Sequence, residues 1–197
     1  MRIIVGVTGA TGAPLALRLL RQLADIPHIE THLILSRWGK VTLEHETNCS
    51  LNDIKQLADV FHPAGDQAAT ISSGSFVTDG MVIIPCSMKT LAGIRSGYAE
   101  GLIGRAADVV LKEQRKLILV PRETPLNTIH LENMLALSRM GVSLIPPVPA
   151  WYNHPATIAD VENHIVGRVL DQLGIDTAGA TRWQGLHPAS DDLTLPN

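Results

Sequence analysis

The stretch Met1–Leu23, MRIIVGVTGATGAPLALRLLRQL, decides the fold. Residues 3–7 are mostly apolar and β-branched, residues 8–12 are small, and leucines then recur at helical spacing. This order predicts a strand, a tight glycine loop and a helix. Pro14 marks the helix start, because a proline in the first turn lacks only an N–H that has no partner there. The free N–H groups of that turn and the positive end of the helix dipole predict an anion site, and hence a phosphate-bearing ligand.

Strands and helices alternate along the rest of the chain. Apolar runs predict further strands over residues 29–35, 81–85, 117–120 and 142–145. Helical patterns cover residues 38–46, 51–60, 104–115, 130–140 and 161–173, with another ending at residue 94. Residues 61–80 predict a loop with one short strand, and residues 174–197 predict a C-terminal tail. The alternation predicts one domain over residues 1–197 with an α/β fold, a three-layer, doubly wound, mostly parallel sheet of Rossmann-like type.

Composition narrows the class of protein. Of 197 residues, 45% are hydrophobic and 18% are charged, which is typical of an α/β protein with a buried sheet. The net charge of -3 provides no basic surface for nucleic acid, and no apolar run reaches the roughly 18 residues of a membrane span. The chain begins on a strand without a charged-then-apolar leader, so we expect a cytoplasmic protein. Cys49 and Cys86 show no metal-ligand spacing, so we expect neither a metal site nor a disulfide.

The glycine loop differs from a dinucleotide-binding loop. The pattern Gly9-x-x-Gly12-x-x-Leu15 lacks the third glycine. The second strand ends at Ser36 instead of the acidic residue that binds a ribose in NAD sites. The pair Ser36-Arg37 could meet the extra phosphate of NADP, which leaves a reductase open. Reductases that begin in this way usually carry a Tyr-x-x-x-Lys pair, and neither tyrosine of the chain has a lysine four residues later.

A mononucleotide with one phosphate fits the strand ends better. The turn at residues 86–90 carries hydroxyls and a cation, and the turn at residues 121–125 carries charges between two prolines. In a parallel α/β sheet such turns meet at the carboxyl edge, where ligands bind. Flavin mononucleotide (FMN) is the common ligand of this type, and it needs no ribose-binding carboxylate.

Five blocks together resemble the flavin prenyltransferase family, which is UbiX-like and was long described as the small component of aromatic-acid decarboxylases. The blocks are Thr8–Gly12 (TGATG), Pro85–Leu91 (PCSMKTL), Arg105–Val109 (RAADV), Leu119–Pro125 (LVPRETP) and His130–Met134 (HLENM). They follow the family's order over about residues 2–183. The resemblance implies a Rossmann-like flavoprotein that attaches a dimethylallyl group from dimethylallyl phosphate to N5 and C6 of reduced FMN, without a metal. It also implies a homo-oligomer, a dodecamer, and a partner decarboxylase that receives the prenylated FMN.

The resemblance also assigns residues to the flavin. By motif position the cofactor would be bound by Gly9, Ala10, Thr11, Ser36, Ser87, Met88, Lys89, Thr90 and Arg122. Family members often have serine where this chain has Thr11. The hydroxyl is retained, and the added methyl stiffens the side chain.

The remaining assignments concern the prenyl donor and the chemistry. The prenyl phosphate would be held by Lys112, Arg122, Tyr152 and Arg168, some of them from neighbouring subunits. Glu123 would be the acid/base group, and the other catalytic or supporting residues would be Thr11, Lys112, Glu46, Arg105 and Trp183. Trp183 would stack over the prenyl group, because an aromatic face attracts a developing allyl cation.

Two alternatives stay open at this point. The first is an FMN-dependent decarboxylase of cysteine-containing peptides or pantothenate intermediates, which relies on an early catalytic histidine and a later cysteine. The second is a non-enzymatic flavin carrier. The pair Arg122-Glu123 could also be only a solvated loop pair, and Cys86 reads as buried packing.

Overall fold

A parallel six-stranded sheet forms the centre of the computed structural model, which describes residues 1–176 and Gly185. The strand order is β3-β2-β1-β4-β5-β6, and every pairing between these strands is parallel. The strands are β1 (Arg2–Val7), β2 (Glu30–Leu35), β3 (Val60–Pro63), β4 (Gly80–Cys86), β5 (Lys116–Pro121) and β6 (Ser143–Leu144). The predicted α/β fold is confirmed, and the sheet is parallel throughout these six strands instead of only mostly so.

Helices cover both faces of the sheet. They are α1 (Ala13–Ala24), α2 (Arg37–Glu46), α3 (Leu51–Lys55), α4 (Met88–Ser96), α5 (Gly101–Lys112), α6 (Thr128–Arg139) and α7 (Ile158–Leu173). Two short 3-10 helices occupy Thr70–Ser72 and Trp151–Asn153. The result is the predicted three-layer arrangement.

The core divides into two layers because side chains alternate along each strand. Ile3 and Val5 of β1 pack with the leucines of α1 and with α7 on one face. Ile4 packs with Ile34 of β2 and with α4 and α5 on the other face. Both faces of β1 are therefore buried, as its apolar sequence predicted.

Two predicted helices differ most from the structure. The helix predicted over residues 51–60 ends at Lys55, because Val60 already pairs with His32 as the start of β3. The helix predicted over residues 104–115 covers Gly101–Lys112, and Gln114 has a positive φ just beyond its end. The predicted tail over residues 174–197 falls largely outside the described residues, so the single domain over the whole chain stays a prediction.

The strand order positions a crevice at the carboxyl edge of the sheet. The chain runs outward from β1 to β2 and β3, then returns to place β4 on the other side of β1. Ligands of open α/β sheets bind at this change of direction, between the carboxyl ends of the two strands. Among the described residues no helix is long and apolar enough to cross a membrane.

Candidate functional site

A cavity of about 380 Å³ opens at the carboxyl edge of the sheet, within the size range of small-molecule sites. Its walls come from the ends of β1, β2, β3 and β4 and from α2, α4 and α5. The lining residues are Thr8, Gly9, Ser36, Arg37, Trp38, Ala64, Ser87, Lys89, Thr90, Gly93, Ile94, Tyr98, Glu100, Gly101, Leu102, Ile103 and Gly104.

Thr8 joins the two strands beneath this cavity. Its buried hydroxyl donates to the carbonyl of Pro85 at 2.7 Å and accepts from the backbone N–H of Ser87 at 2.8 Å. A single side chain thus satisfies polar backbone groups where β1 and β4 diverge.

Two serine-capped helix starts line the cavity. Ser36 caps α2 by accepting from the N–H of Gly39 at 2.9 Å, and Ser87 caps α4 by accepting from the N–H of Thr90 at 3.3 Å. Each cap is close in sequence to a cation, Arg37 after the first and Lys89 after the second. Helix N-termini with hydroxyls and cations favour a bound anion.

Two glycines let α2 pack closely against the loop after β1. A Cβ on Gly9 would lie 2.3 Å from the Cβ of Trp38, and a Cβ on Gly39 would lie 2.4 Å from the carbonyl oxygen of Val7. Neither position accepts a side chain without movement of its neighbour. This contact fixes the first turn of α2 against the cavity.

The N-terminus of α1 is not available to a ligand. The carboxylate of Glu46 accepts from the N–H groups of Gly12 and Ala13 at 2.8 and 2.9 Å, and also from the hydroxyl of Thr11. Burial alone raises the pKa of Glu46, but these hydrogen bonds outweigh it and hold the pKa below its usual range. The N–H groups that the sequence left free for a phosphate are therefore paired with a side chain of the protein, which already supplies a negative charge at this turn.

Arg122 and Glu123 follow β5 at the same edge of the sheet. The N–H of Arg122 donates to the carbonyl of Cys86 at 3.2 Å, which ties the end of β5 to the end of β4. Both side chains are exposed, and within residues 1–176 no ion pair involves either of them. A carboxylate oxygen of Glu123 accepts from the N–H of Thr124 at 3.1 Å.

Two buried histidines pair between β2 and β3. Nδ1 of His32 is 2.8 Å from Nε2 of His62, and Nε2 of His32 is 2.9 Å from a carboxylate oxygen of Glu30. The two imidazoles are 2% and 7% exposed and are stacked. Burial is the main reason that the pKa of His62 lies below its usual range, and the neighbouring His32 adds to it. Ala64, two residues after His62, lines the cavity and accepts from the N–H of Leu102 at 2.8 Å.

Comparison with known proteins agrees with this geometry. The flavoprotein family matches residues 1–170. A probable UbiX-like flavin prenyltransferase of Escherichia coli O157:H7 is 66% identical over 189 residues, which cover 96% of each chain. The chain belongs to the UbiX-like flavin prenyltransferase family.

Solved structures of the family superpose on nearly the whole chain. A dodecameric FMN-dependent UbiX-like decarboxylase from Escherichia coli O157:H7 has 66% identity and a TM-score of 0.93, covering 94% of this chain and 100% of that one. AnUbiX (PadA1), in complex with FMN and dimethylallyl pyrophosphate, has 49% identity and a TM-score of 0.92, covering 94% and 98%.

Some of the residues that the family resemblance assigned to the flavin line the cavity. Five of the nine line it directly: Gly9, Ser36, Ser87, Lys89 and Thr90. Ala10 and Thr11 continue the loop after Gly9, and Met88 is mostly buried in the core beside Ser87. Arg122 lies on the neighbouring strand end. None of these contacts with a flavin is tested by the structure, so the assignments stay predictions.

Two other residues assigned by the UbiX-like family lie on α5, outside the cavity. Arg105 donates to the carbonyl of Ser72 at 3.1 Å and to the carboxylate of Asp108 at 2.6 Å. Lys112 ends the helix and pairs with the adjacent Glu113. At 1.5 Å per residue, Lys112 lies roughly 12 Å along the helix from Gly104, the last residue of α5 that lines the cavity. Within one protomer Lys112 is therefore remote from the site.

The last three assigned residues also lie away from the cavity or outside the described residues. Arg168 on α7 donates to the carboxylate of Asp171 at 2.6 Å. Tyr152 follows the proline-rich segment, and its ring lies 6.0 Å from that of His164. Trp183 lies outside the described residues. Lys112, Tyr152 and Arg168 do not line this cavity, and their roles at the prenyl phosphate stay predictions.

The sequence prediction missed several cavity residues. Arg37 was considered only as a partner for the extra phosphate of NADP, and Trp38 was not selected. Both follow Ser36 directly after β2, so the strand-end rule that selected Ser36 could also have found them. Tyr98 lies in the connection between α4 and α5, Gly101 is the first residue of α5, and no periodicity or motif marks either of them. Their place at the cavity depends on how that connection folds back over the sheet.

The lining fits a flat ligand with one phosphate. Two helix starts with hydroxyls and cations suit the phosphate, while Ile94, Leu102 and Ile103 provide apolar surface for a ring system. FMN has both parts. Among the described residues no group of three His, Cys, Asp or Glu side chains could hold a metal ion.

Proposed function

We propose that this chain is a flavin prenyltransferase that transfers a dimethylallyl group from dimethylallyl phosphate to N5 and C6 of reduced FMN. The product is prenylated FMN for a partner aromatic-acid decarboxylase. The observation that carries the proposal is the cavity with two serine-capped helix starts, in a chain 49% identical to AnUbiX, whose structure holds FMN and dimethylallyl pyrophosphate. We place the protein in the cytoplasm.

The FMN phosphate is assigned to the starts of α2 and α4. Ser36 and Ser87 orient the two helix starts, and Lys89 adds a positive charge beside the second. Lys89 lies 3.9 Å from Glu100 in an exposed ion pair, which a phosphate can displace at little cost. Because Glu46 occupies the start of α1, the phosphate is directed to these two helices instead.

Arg122 and Glu123 act on the donor. The guanidinium of Arg122 can bind the phosphate leaving group, whose oxygens gain charge as the allylic carbon–oxygen bond breaks. The carboxylate of Glu123 is exposed beside it and can accept or return a proton. Bound reduced flavin supplies the nucleophilic atoms that accept the prenyl group. The alternative of a plain solvated pair predicts that neither side chain affects turnover.

The oligomer completes the site. Lys112, Tyr152 and Arg168 lie away from the cavity of their own protomer, and a neighbouring subunit can bring such residues to it. We propose a dodecamer, because the dodecameric relative from Escherichia coli is 66% identical over the whole of its chain.

The buried cysteine argues against the alternative decarboxylase of cysteine-containing peptides. Cys86 is fully buried, and burial raises the pKa of its thiol to about 12. The thiol therefore stays protonated and inert at neutral pH. A flavin carrier remains the second candidate, because it would use the same cavity without turnover.

One experiment separates these functions. The purified protein is incubated anaerobically with reduced FMN and dimethylallyl phosphate, and the mass of the flavin is then measured. We expect the gain of one five-carbon unit. Unchanged flavin would contradict the transferase, and bound but unchanged flavin would favour the carrier. Release of carbon dioxide from a phenolic acid by this chain alone would favour the decarboxylase.

The acid/base role of Glu123 has its own test. Glu123→Gln should keep FMN affinity and slow formation of the prenylated product by about 100-fold or more, as expected for loss of a general acid. Glu44→Gln is the matched control, because Glu44 is exposed on α2 and does not line the cavity. Equal rates for the two variants would make Glu123 a solvated side chain.

A further inference from the structure

Two large aromatic side chains line the cavity without being buried by the protein. The chain has three Trp and two Tyr residues in total, and Trp38 and Tyr98 both line this one cavity. Each is 65% exposed. Large exposed aromatic surface beside a cavity is typical of a ligand or partner contact rather than of core packing.

The backbone of Trp38 is fixed where its side chain meets the cavity. It lies at the second residue of α2, and its Cβ is 2.3 Å from the position that a Cβ on Gly9 would occupy. The backbone of Trp38 lies within 3.3 Å of the same position. Only glycine permits this close approach. Gly9 in the loop after β1 therefore leaves room for Trp38 to pack against that loop.

Tyr98 is held by a different element. Its N–H donates to the carbonyl of Gly93 at 2.9 Å, just after Gly97 ends α4 with a φ of 72°. A Cβ on Gly104 would lie 3.6 Å from the carbonyl oxygen of Tyr98, so the turn packs against α5. The backbone of this turn is well anchored, whereas the phenol ring remains open to solvent.

We propose that Trp38 and Tyr98 bind the flavin ring system by aromatic contact at the mouth of the cavity. The inference rests on the proposed function, because it takes FMN as the ligand. The helix starts that suit the phosphate, at Ser36 and Ser87, belong to the same cavity. A ligand anchored there by its phosphate extends its flat ring toward the remaining walls. Aromatic rings stack on such a planar ligand or contact its edge, and they add to the energy of apolar burial.

The test measures binding of oxidised FMN to the full-length protein, without any prenyl donor. We expect Trp38→Leu and Tyr98→Leu each to raise the Kd by about 10-fold, the change that corresponds to about 1.4 kcal/mol. Flavin emission in the bound state should rise in the same variants, since contact with indole or phenol quenches it. Trp38→Phe and Tyr98→Phe should retain most of the affinity. Val41→Ala, exposed on the same helix as Trp38 but outside the cavity, should match the wild type.

Several outcomes would overturn the inference. One is an unchanged Kd in both leucine variants, and another is a loss of affinity that the phenylalanine variants share. Size-exclusion chromatography of every variant adds a third: weaker binding only where the oligomer dissociates would show that these side chains act through subunit contact. Because the readout needs no turnover, it can succeed even if the prenyl transfer assay fails.

Discussion

Replacing Glu46 should weaken the contact between the end of α2 and the start of α1. One carboxylate oxygen accepts two backbone N–H groups at 2.8 and 2.9 Å, which have no partner within the helix. Loss of a helix cap costs roughly 0.5–2 kcal/mol, and the charge adds a favourable interaction with the helix dipole. We expect about 2 kcal/mol of destabilisation for Glu46→Ala. Glu46→Gln should cost about 1 kcal/mol, because an amide oxygen still accepts but carries no charge.

The same contact makes a prediction about pH. Because the pKa of Glu46 in the folded protein lies below its ordinary value of 4.5, its contribution is present above that value and is lost as pH falls through the folded pKa. The difference in the free energy of unfolding between the wild type and Glu46→Gln should therefore be largest at neutral pH. It should shrink in acid, below the folded pKa.

The assay is urea unfolding followed by circular dichroism at about pH 7 and at acidic pH. Protein concentration is held fixed, because self-association makes apparent stability depend on it. Glu44→Gln is the control, since it removes an exposed charge from the same helix. Equal midpoints for Glu46→Gln and Glu44→Gln at neutral pH would refute the reasoning.

Two further predictions concern α2 and the buried histidines. Gly39→Ala should destabilise the fold by about 1–3 kcal/mol, because its Cβ would meet the carbonyl oxygen of Val7 at 2.4 Å. Thermal unfolding measures this loss. The control is Gly167→Ala, which has open space around it and should be more stable by up to about 1 kcal/mol. Since the pKa of His62 lies below 6.5, the unfolded chain binds its proton more readily, and stability should fall as pH drops through that value. His62→Gln should flatten this dependence in unfolding measured from about pH 8 to about pH 5, and an unchanged slope would count against it.

The sheet could be predicted because its signals are local. Short apolar runs between glycines and prolines marked the strands, and Met1–Leu23 set the first βα unit. The limits of helices were harder. The helix predicted through residue 60 ends at Lys55, because pairing of β3 with β2 outweighs local helical preference.

The candidate site was only partly visible in the sequence. Ser36 and Ser87 were found because each directly follows a strand, and parallel strands share one carboxyl edge. Glu46 accepts hydrogen bonds at the N-terminus of α1 through a contact between residues 34 positions apart, and no sequence motif predicts this contact. Tyr98 was missed for a similar reason. The placement of Lys112 shows the converse limit: the family resemblance assigns this residue to the prenyl phosphate, but in the structure it pairs with Glu113 and does not line the cavity.

The hydroxyl of Thr8 has a consequence for the rigidity of the cavity. By donating to Pro85 and accepting from Ser87, it holds the diverging ends of β1 and β4 together. These strand ends cannot separate without breaking both bonds in a buried setting. The floor is therefore the rigid part of the cavity, whereas the exposed side chains of Trp38 and Tyr98 can adapt to the shape of a ligand.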